Sequence, residues 1–232
     1  MTEALPTPHE APPGTAPDSS PARRAQFLAT EHWSLLATRA MSWNESFARS
    51  AMFLTSLSTA TVALALVGSA TDFGPEFVTF ALVVLSITLF LGVATFIRLG
   101  QVNNEDLYWV AGMNRLRGQY ARLEPGIEDE FVTGTTLDTK GFALTYGAMD
   151  VTGFSALHVF VTTPGVVAVV CSVIAGVIAG LVTLQVVPAS MGSAIGAGAV
   201  VAVIAVVLFI TYARRDAAAY LARMIRFQER PR

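Results

Sequence analysis

Residues 166–187 read VVAVVCSVIAGVIAGLVTLQVV, a run of 22 positions without Asp, Glu, Lys, Arg or His. A bilayer core is about 30 Å thick, and an α-helix needs about 20 mostly apolar residues to cross it. The run therefore predicts a membrane-spanning helix. Thr163 and Pro164 precede it as an N-cap and a proline suited to the first helical turn.

Three further stretches have the same character, and their only charged residue is Arg98, at the end of one of them. They are residues 51–70, 77–99 and 191–212. Short turns rich in Asp, Gly, Pro and Ser separate the spans within each half of the chain, so they form two hairpins. The sequence predicts an all-α integral membrane protein with four transmembrane helices as two hairpins, plus amphipathic cytoplasmic helices.

The composition supports a membrane protein and excludes several other classes. Charged residues make up 14% of the chain and hydrophobic ones 53%, whereas a soluble domain carries roughly 25% charged residues. The net charge of -2 predicts no nucleic-acid partner, and the single cysteine, Cys171, allows no intramolecular disulfide. The spans hold no ionisable pair, and the chain has no phosphate-binding, zinc-hydrolase or serine-hydrolase motif. We therefore expect no cofactor, no metal and no enzymatic activity.

The basic residues predict the orientation. All 15 Lys and Arg precede residue 51, lie between 98 and 140, or follow 212, and the two hairpin turns contain none. Positively charged segments remain in the cytoplasm. Both termini are therefore predicted to be cytoplasmic.

Six segments follow from these patterns, and two of them allow alternatives. They are a disordered Pro-rich tail (1–22), an amphipathic cytoplasmic or interfacial helix (23–50), the first transmembrane hairpin (51–99), a cytoplasmic helix and loop (100–162), the second transmembrane hairpin (163–212) and a basic C-terminal cytoplasmic helix (213–232). The helix before span one either continues into it or lies at the interface, with Trp33 and Trp43 among headgroups. The acidic cluster 128–130 is either a solvated loop or a docking site for arginines of a partner subunit. The apolar residues 154–161 are too few to span and are expected at the interface.

A helical seam is predicted between residues 103 and 123. The stretch 103–106 (NNED) offers an N-cap and first-turn acids. After it, apolar residues recur at intervals of 4, 3, 4 and 3, which is the spacing of a helix that packs against another helix. They are Trp109, Met113, Leu116, Tyr120 and Leu123. The seam packs against the 25–48 helix of the same or a neighbouring subunit, or it is an oligomerisation helix.

Two further sets of residues are candidates for contacts. Gly176 and Gly180 form a GxxxG motif in span three, and Gly192 and Gly196 form one in span four, so these spans are predicted to pack closely. The segment after span four is rich in arginine and is a candidate for contact with anionic lipid. Its predicted lipid-contacting residues are Arg214, Arg215, Arg223 and Arg226.

The first half of the chain resembles a group of actinobacterial multi-pass membrane proteins. The resemblance rests on LATEHW at 28–33, NESF at 44–47 and AGMNRLR at 111–117. Alanine- and valine-rich spans, with Lys140 the single lysine beside 14 arginines, are typical of a high-GC genome. The resemblance implies the cytoplasmic (inner) membrane of a bacterium and carries no activity. A looser likeness, to two-span bacterial effector domains with a cytoplasmic helix on either side of a hairpin, would imply pore formation.

Three functions are compatible with these features. The leading hypothesis is a self-associating membrane scaffold or assembly component, a homo-oligomer in contact with the lipid bilayer. The first alternative is an oligomeric channel or membrane-permeabilising effector. The second is a small transporter or lipid-binding protein.

Overall fold

The computed structural model describes residues 20–147, 162–186 and 190–228, with side chains as far as 220. All regular elements in these ranges are helical, and four of the helices are long and apolar enough to cross a membrane. The helices are α1 (Pro21–Ala70), α2 (Pro75–Leu123), a 3-10 helix (Ile127–Glu130), α3 (Thr139–Thr145), α4 (Thr163–Val186) and α5 (Met191–Gln228). The pairs α1–α2 and α4–α5 pack together, which confirms the predicted two hairpins.

The helix predicted before span one and the span itself are one continuous helix, α1. Ser20 caps it by accepting a hydrogen bond from the backbone N–H of Arg23 at 3.3 Å, and Pro21 occupies the first turn. Its 50 residues give a rod about 75 Å long. The structure therefore has the continuous form of the two alternatives predicted for residues 23–50. Of the predicted tail, residues 1–19 lie outside the described residues.

α2 likewise runs through the position where a new helix was predicted to begin. The polar residues at 103–106 lie inside α2 and do not cap a helix. Asn104 bonds to Asp216 of α5 and Asp106 to Arg39 of α1, whereas Glu105 bonds to Arg98 of α2 itself. The segment after span four is also continuous with it, in α5. At the start of α4, Thr162 rather than Thr163 caps the helix, with its hydroxyl accepting from Gly165 N–H at 3.2 Å.

Charged residues bracket the apolar parts of α1 and α2. Arg49 and Arg98 lie at one end, and Asp72 and Glu76 lie at the other. Arg49 and Asp72 are 23 positions apart, which is about 34 Å along a helix and close to the thickness of a bilayer core. Both helices therefore project far beyond the bilayer on the Arg49 side. We call this projection, residues 21–48 and 100–123, the stalk.

α2 is the central helix of the membrane part, since it contacts α1, α4 and α5. The core forms where Phe53 of α1, Phe96 and Leu99 of α2 and Cys171 of α4 meet, each 5% exposed or less. Phe209 of α5 packs edge-on against Phe96, with ring centroids 4.7 Å apart. The two hairpins are thus joined through α2.

Gly92 permits this three-helix contact. A Cβ at this position would overlap the sulfur of Cys171 and would come within 2.7 Å of the Phe53 ring. The absence of a side chain at Gly92 therefore lets α1 and α4 approach the same face of α2.

Small residues hold α4 and α5 together. Gly176 and Gly180 lie at the contact: a Cβ on Gly176 would come within 2.7 Å of the carbonyl oxygen of Gly198, and one on Gly180 within 3.3 Å of that of Ala194. Backbones this close gain van der Waals contact along the helix pair. The α4 half of the predicted glycine contact is therefore at the interface.

The α5 half of that contact differs from the predicted motif. A Cβ on Gly196 would meet nothing within 4 Å, and one on Gly192 only the Ser190 hydroxyl, at 3.7 Å. Gly192 and Gly196 are two residues away from Ala194 and Gly198, which is about 200° around the helix. The α5 side is therefore formed by Ala194 and Gly198 rather than by Gly192 and Gly196.

These two positions offer a matched test. We expect Gly176→Ala to lower the stability of the protein by about 1–3 kcal/mol, because its methyl group would be forced against the α5 backbone. Gly196→Ala is the control, since it gains the same helix propensity, about 1 kcal/mol, in open space. Thermal unfolding in mild detergent, followed by circular dichroism, measures both. Equal melting temperatures for the two variants would contradict the assigned register.

Candidate functional site

The stalk is an antiparallel pair of helices held by contacts along its whole length. Near its far end, Arg24 Nη2 donates to Gln119 Oε1 at 2.9 Å. The rings of His32 and Tyr120 stack, with centroids 6.1 Å apart. Gly112 provides a close approach, because a Cβ there would lie 3.0 Å from Leu35. The two helices of the stalk therefore pack against each other from its far end toward the membrane part.

A buried carboxylate, Asp106, lies in the half of the stalk nearer the membrane part and is 3% exposed. Arg39 donates to both of its oxygens, from Nε at 2.6 Å and from Nη2 at 3.2 Å. The indole N–H of Trp43 donates to Oδ1 at 3.2 Å, and the Tyr146 hydroxyl donates to Oδ2 at 2.7 Å. The Arg39 guanidinium also lies 5.8 Å from the centre of the Tyr146 ring. Asp106 thus joins α1, α2 and the segment after α3.

These bonds leave Asp106 little capacity for chemistry. A carboxylate has roughly four lone-pair sites, and four hydrogen bonds occupy them. The bond to Asp106 raises the pKa of Arg39, while burial and the same carboxylate raise the pKa of Tyr146. Both donors therefore stay protonated at physiological pH. We call this cluster of Asp106, Arg39, Trp43 and Tyr146 the clamp, because its hydrogen bonds link α1, α2 and the segment after α3.

A second ion network marks the junction of the stalk and the membrane. Arg98 binds both oxygens of Glu45, at 2.9 and 2.8 Å, and it also donates to Glu105 at 2.8 Å. Arg49 donates to Glu45 at 2.8 Å. The hydrogen bonds from Arg98 and Arg49 lower the pKa of Glu45 from 4.5 to about 2. The contribution of Glu45 to stability is therefore complete above pH 4.5 and is lost only as the pH falls toward 2.

Asn114 fastens the segment after α2 onto the stalk. The Asn114 side chain is fully buried; its amide donates to the carbonyl of Thr136 at 3.0 Å, and its oxygen accepts from Thr145 at 2.8 Å and Arg117 at 3.0 Å. The acids at 128–130 are all exposed in a 3-10 helix. Residues 154–161, predicted at the interface, lie outside the described residues.

The residues of the predicted seam are largely used within the chain itself. Met113 is 1% exposed, and Tyr120 stacks on His32 of α1. Trp109, Leu116 and Leu123 are half-buried. The indole N–H of Trp109 is the one buried side-chain polar group without a hydrogen bond among the described residues. The role of this seam in oligomerisation remains a prediction.

A different surface was not recognised from the sequence: an exposed, uncharged stripe along α1. Its members recur at intervals of three or four residues, and every one of them is exposed. They are Trp33, Ala37, Ala40, Asn44, Phe47, Ala51, Thr55, Ser58 and Val62. Trp33 is 71% exposed and Phe47 59%. We call these nine residues the α1 stripe.

The charged residues of the stalk half of α1 avoid this stripe. At 100° per residue, Glu31, Arg39, Glu45 and Arg49 all lie on the other side of the helix. The sequence contained this signal, but the helix has several apolar positions around its circumference. Only the docking of α2 decides which of them are covered.

The structure describes the side chains of two of the four arginines that were predicted to contact lipid. Arg214 and Arg215 are exposed, and neither forms an ion pair within the described residues. The helix continues to Gln228, but the side chains of Arg223 and Arg226 lie outside the described residues.

The described residues contain no group of three or more His, Cys, Asp or Glu arranged to hold a metal ion. His32 is occupied by its stacking partner, and burial together with the nearby Arg117 lowers its pKa. No protein-family model, curated protein or solved structure matches the chain.

Two neighbouring acids of α2 test the role of the clamp. Asp106→Asn removes the charge that balances the half-buried Arg39, and we expect a loss of about 3 kcal/mol in stability. Glu105→Gln removes a partner whose side chain is 40% exposed, and we expect a loss below about 1 kcal/mol. Thermal unfolding measures the loss of stability in each variant. Hydrogen exchange of the backbone amides of residues 32–43 shows whether the stalk opens. A stalk that stays protected in Asp106→Asn would contradict the clamp.

Proposed function

We propose that this protein is a self-associating membrane scaffold, whose copies associate through the α1 stripe. The observation that carries the proposal is an exposed stripe without charge on a part of α1 that projects beyond the bilayer. Monomeric proteins rarely leave a long apolar surface open to water, and such surfaces mark interaction sites.

Lipid is a poor candidate for covering the outer part of the stripe. Trp33 precedes Ala51 by 18 residues, which is about 27 Å along a straight helix. The headgroup layer extends only about 5–8 Å beyond the hydrocarbon core. Even a helix tilted by about 40° would hold Trp33 roughly 20 Å from the core. A protein surface is therefore the better partner.

The stripe continues into the membrane with small and hydroxyl-bearing residues. Ala51, Thr55 and Ser58 are exposed there, and small residues of this kind are enriched where membrane helices associate. A partner that follows the whole stripe must itself be both membrane-spanning and extended beyond the bilayer. A second copy of this chain has that form.

The bilayer also aligns the copies. Chains inserted with the same orientation hold the α1 stripe at the same height, so that equivalent residues meet in a parallel arrangement. Asn44 is the polar residue in the centre of the stalk part of the stripe. A single polar residue at such a position favours one register, because its amide can hydrogen-bond to its counterpart.

In this proposal the stalk and both termini are cytoplasmic, in the inner membrane of a bacterium. The arginines of the stalk and of α5 support this orientation, since basic segments are retained on the cytoplasmic side. The turn between α1 and α2 carries Asp72, the first turn of α2 carries Glu76, and neither contains a basic residue, so this end faces outward in the proposal.

The channel alternative draws on the same surface. If several copies placed the membrane part of the stripe toward a common axis, Thr55 and Ser58 would line the space between them. The neighbouring hydroxyls of Ser56, Thr59 and Thr61 donate to backbone carbonyls of their own helix. Conductance in planar bilayers would favour the channel over a scaffold.

A charge placed in the stripe tests self-association. We expect Ala40→Glu to weaken association more than tenfold, because identical charges would be buried against each other in the contact. Ser34→Glu is the matched control, an exposed position of the same helix outside the stripe. Native mass spectrometry in mild detergent and light scattering in lipid discs measure the subunit number. A wild-type protein that is monomeric in both media would overturn the proposal.

Cysteine labelling tests the orientation. We expect Glu76→Cys to react with a membrane-impermeant maleimide in intact cells, and Ser34→Cys to react only after permeabilisation. Both sites are exposed on helical backbone, and the native Cys171 is fully buried and should stay silent. The reverse labelling pattern would invert the topology.

A further inference from the structure

We propose that α5 carries a binding site for the phosphate of an anionic bilayer phospholipid, centred on Arg215. This site is separate from the α1 stripe and does not depend on self-association.

The site lies in a shallow, open groove along one face of α5, and all of its lining residues belong to this helix. Its volume is about 530 Å³, and it is lined by Leu208, Thr211, Tyr212, Arg215 and Asp216. These positions follow the i, i+3, i+4, i+7, i+8 spacing of one helical face. The groove therefore changes along its length from an apolar end to a charged end, which is the order of groups in a phospholipid.

Contacts between α5 and α2 show where the groove lies relative to the membrane boundary. Phe209 packs on Phe96, and Asp216 accepts a hydrogen bond from Asn104 at 2.6 Å. Arg98, which marks the membrane boundary on α2, is therefore level with about residue 211 of α5. Arg215 lies four residues further out, about 6 Å, within the headgroup layer.

Arg215, like its neighbour Arg214, differs from the arginines of α1 and α2 near this boundary because no ion pair engages it within the described residues. Arg49 and Arg98 are both paired with Glu45, and Arg39 is paired with Asp106. Arg215 has no carboxylate partner among the described residues. Asp216 also faces the groove, but one of its oxygens is engaged by the amide of Asn104. Arg215 is thus available to an anion from the lipid.

The surrounding groups suit a phospholipid better than a soluble anion. Arginine presents several N–H donors in a planar fork that matches phosphate oxygens. Tyr212 is 49% exposed, and amphipathic tyrosine rings favour the headgroup level. Leu208, one turn deeper and 63% exposed, provides an apolar surface for an acyl chain. The hydroxyl of Thr211 donates to backbone carbonyls of its own helix and contributes no donor.

Arg214, the neighbouring arginine, is the control that distinguishes a specific site from a general attraction of lipid to positive surface charge. Arg214 is exposed at the same depth but does not line the groove. The purified full-length protein is titrated with phosphatidylglycerol or phosphatidylcholine, and bound lipid is counted by native mass spectrometry. We expect Arg215→Gln to weaken phosphatidylglycerol binding about fivefold, and Arg214→Gln to change it less than about twofold. Phosphatidylcholine should bind more weakly than phosphatidylglycerol and should respond less to either variant.

Two results would overturn the site. Equal losses in the two variants would indicate only diffuse attraction to a basic surface, and equal binding of both lipids by the wild-type protein would exclude a preference for anionic lipid. Inorganic phosphate as a competitor should leave the lipid count unchanged; displacement would mean that a soluble anion is the ligand. The same titration with Ala40→Glu keeps this result independent of self-association.

Discussion

Charged side chains cannot lie in a hydrocarbon layer without a large cost in free energy, and every other feature of this structure is arranged around that constraint. The chain keeps four apolar segments free of interior charge and places its basic residues on one side. Because α1, α2 and α5 continue without a break beyond their apolar segments, the charges lie on helices that emerge from the membrane. The stalk is a direct consequence of this continuity.

The arginines of that side have two different roles. Arg39, Arg49 and Arg98 are paired with carboxylates on the stalk helices, and the Arg39–Asp106 and Arg98–Glu45 pairs join α1 to α2. Arg214 and Arg215 have no such partners within the described residues. The arginines of the first hairpin thus form ion pairs within the protein. Those at the end of the second hairpin are available for contact with other molecules.

The two sides of α1 differ in the same way, since one packs within the protein and the other, the α1 stripe, is exposed. One side of α1 contacts α2 through polar and aromatic pairs such as Arg39–Asp106 and His32–Tyr120. The opposite side carries no charge along the stalk and has no partner in the described part of the chain. A scaffold assembled through this side would leave the internal clamp of each copy intact.

Much of the fold followed from local composition. The four spans and their pairing into two hairpins were correct because length and hydropathy act on each segment independently of its neighbours. Local signals failed where a longer-range contact was stronger. Residues 103–106 resembled a helix start, but they continue α2, and Asn104 and Asp106 bind α5 and α1 instead.

By itself the sequence determined that this is a four-span helical membrane protein with its basic residues concentrated on one side. Only the tertiary structure decided which face of each helix is covered. In α5 the contact uses Ala194 and Gly198, although the glycine spacing favoured Gly192 and Gly196. In α1 it leaves Trp33 and Phe47 exposed. The physical reason is that hydropathy depends on composition along the chain, whereas the rotation of a helix about its axis depends on the fit of side chains that are distant in sequence.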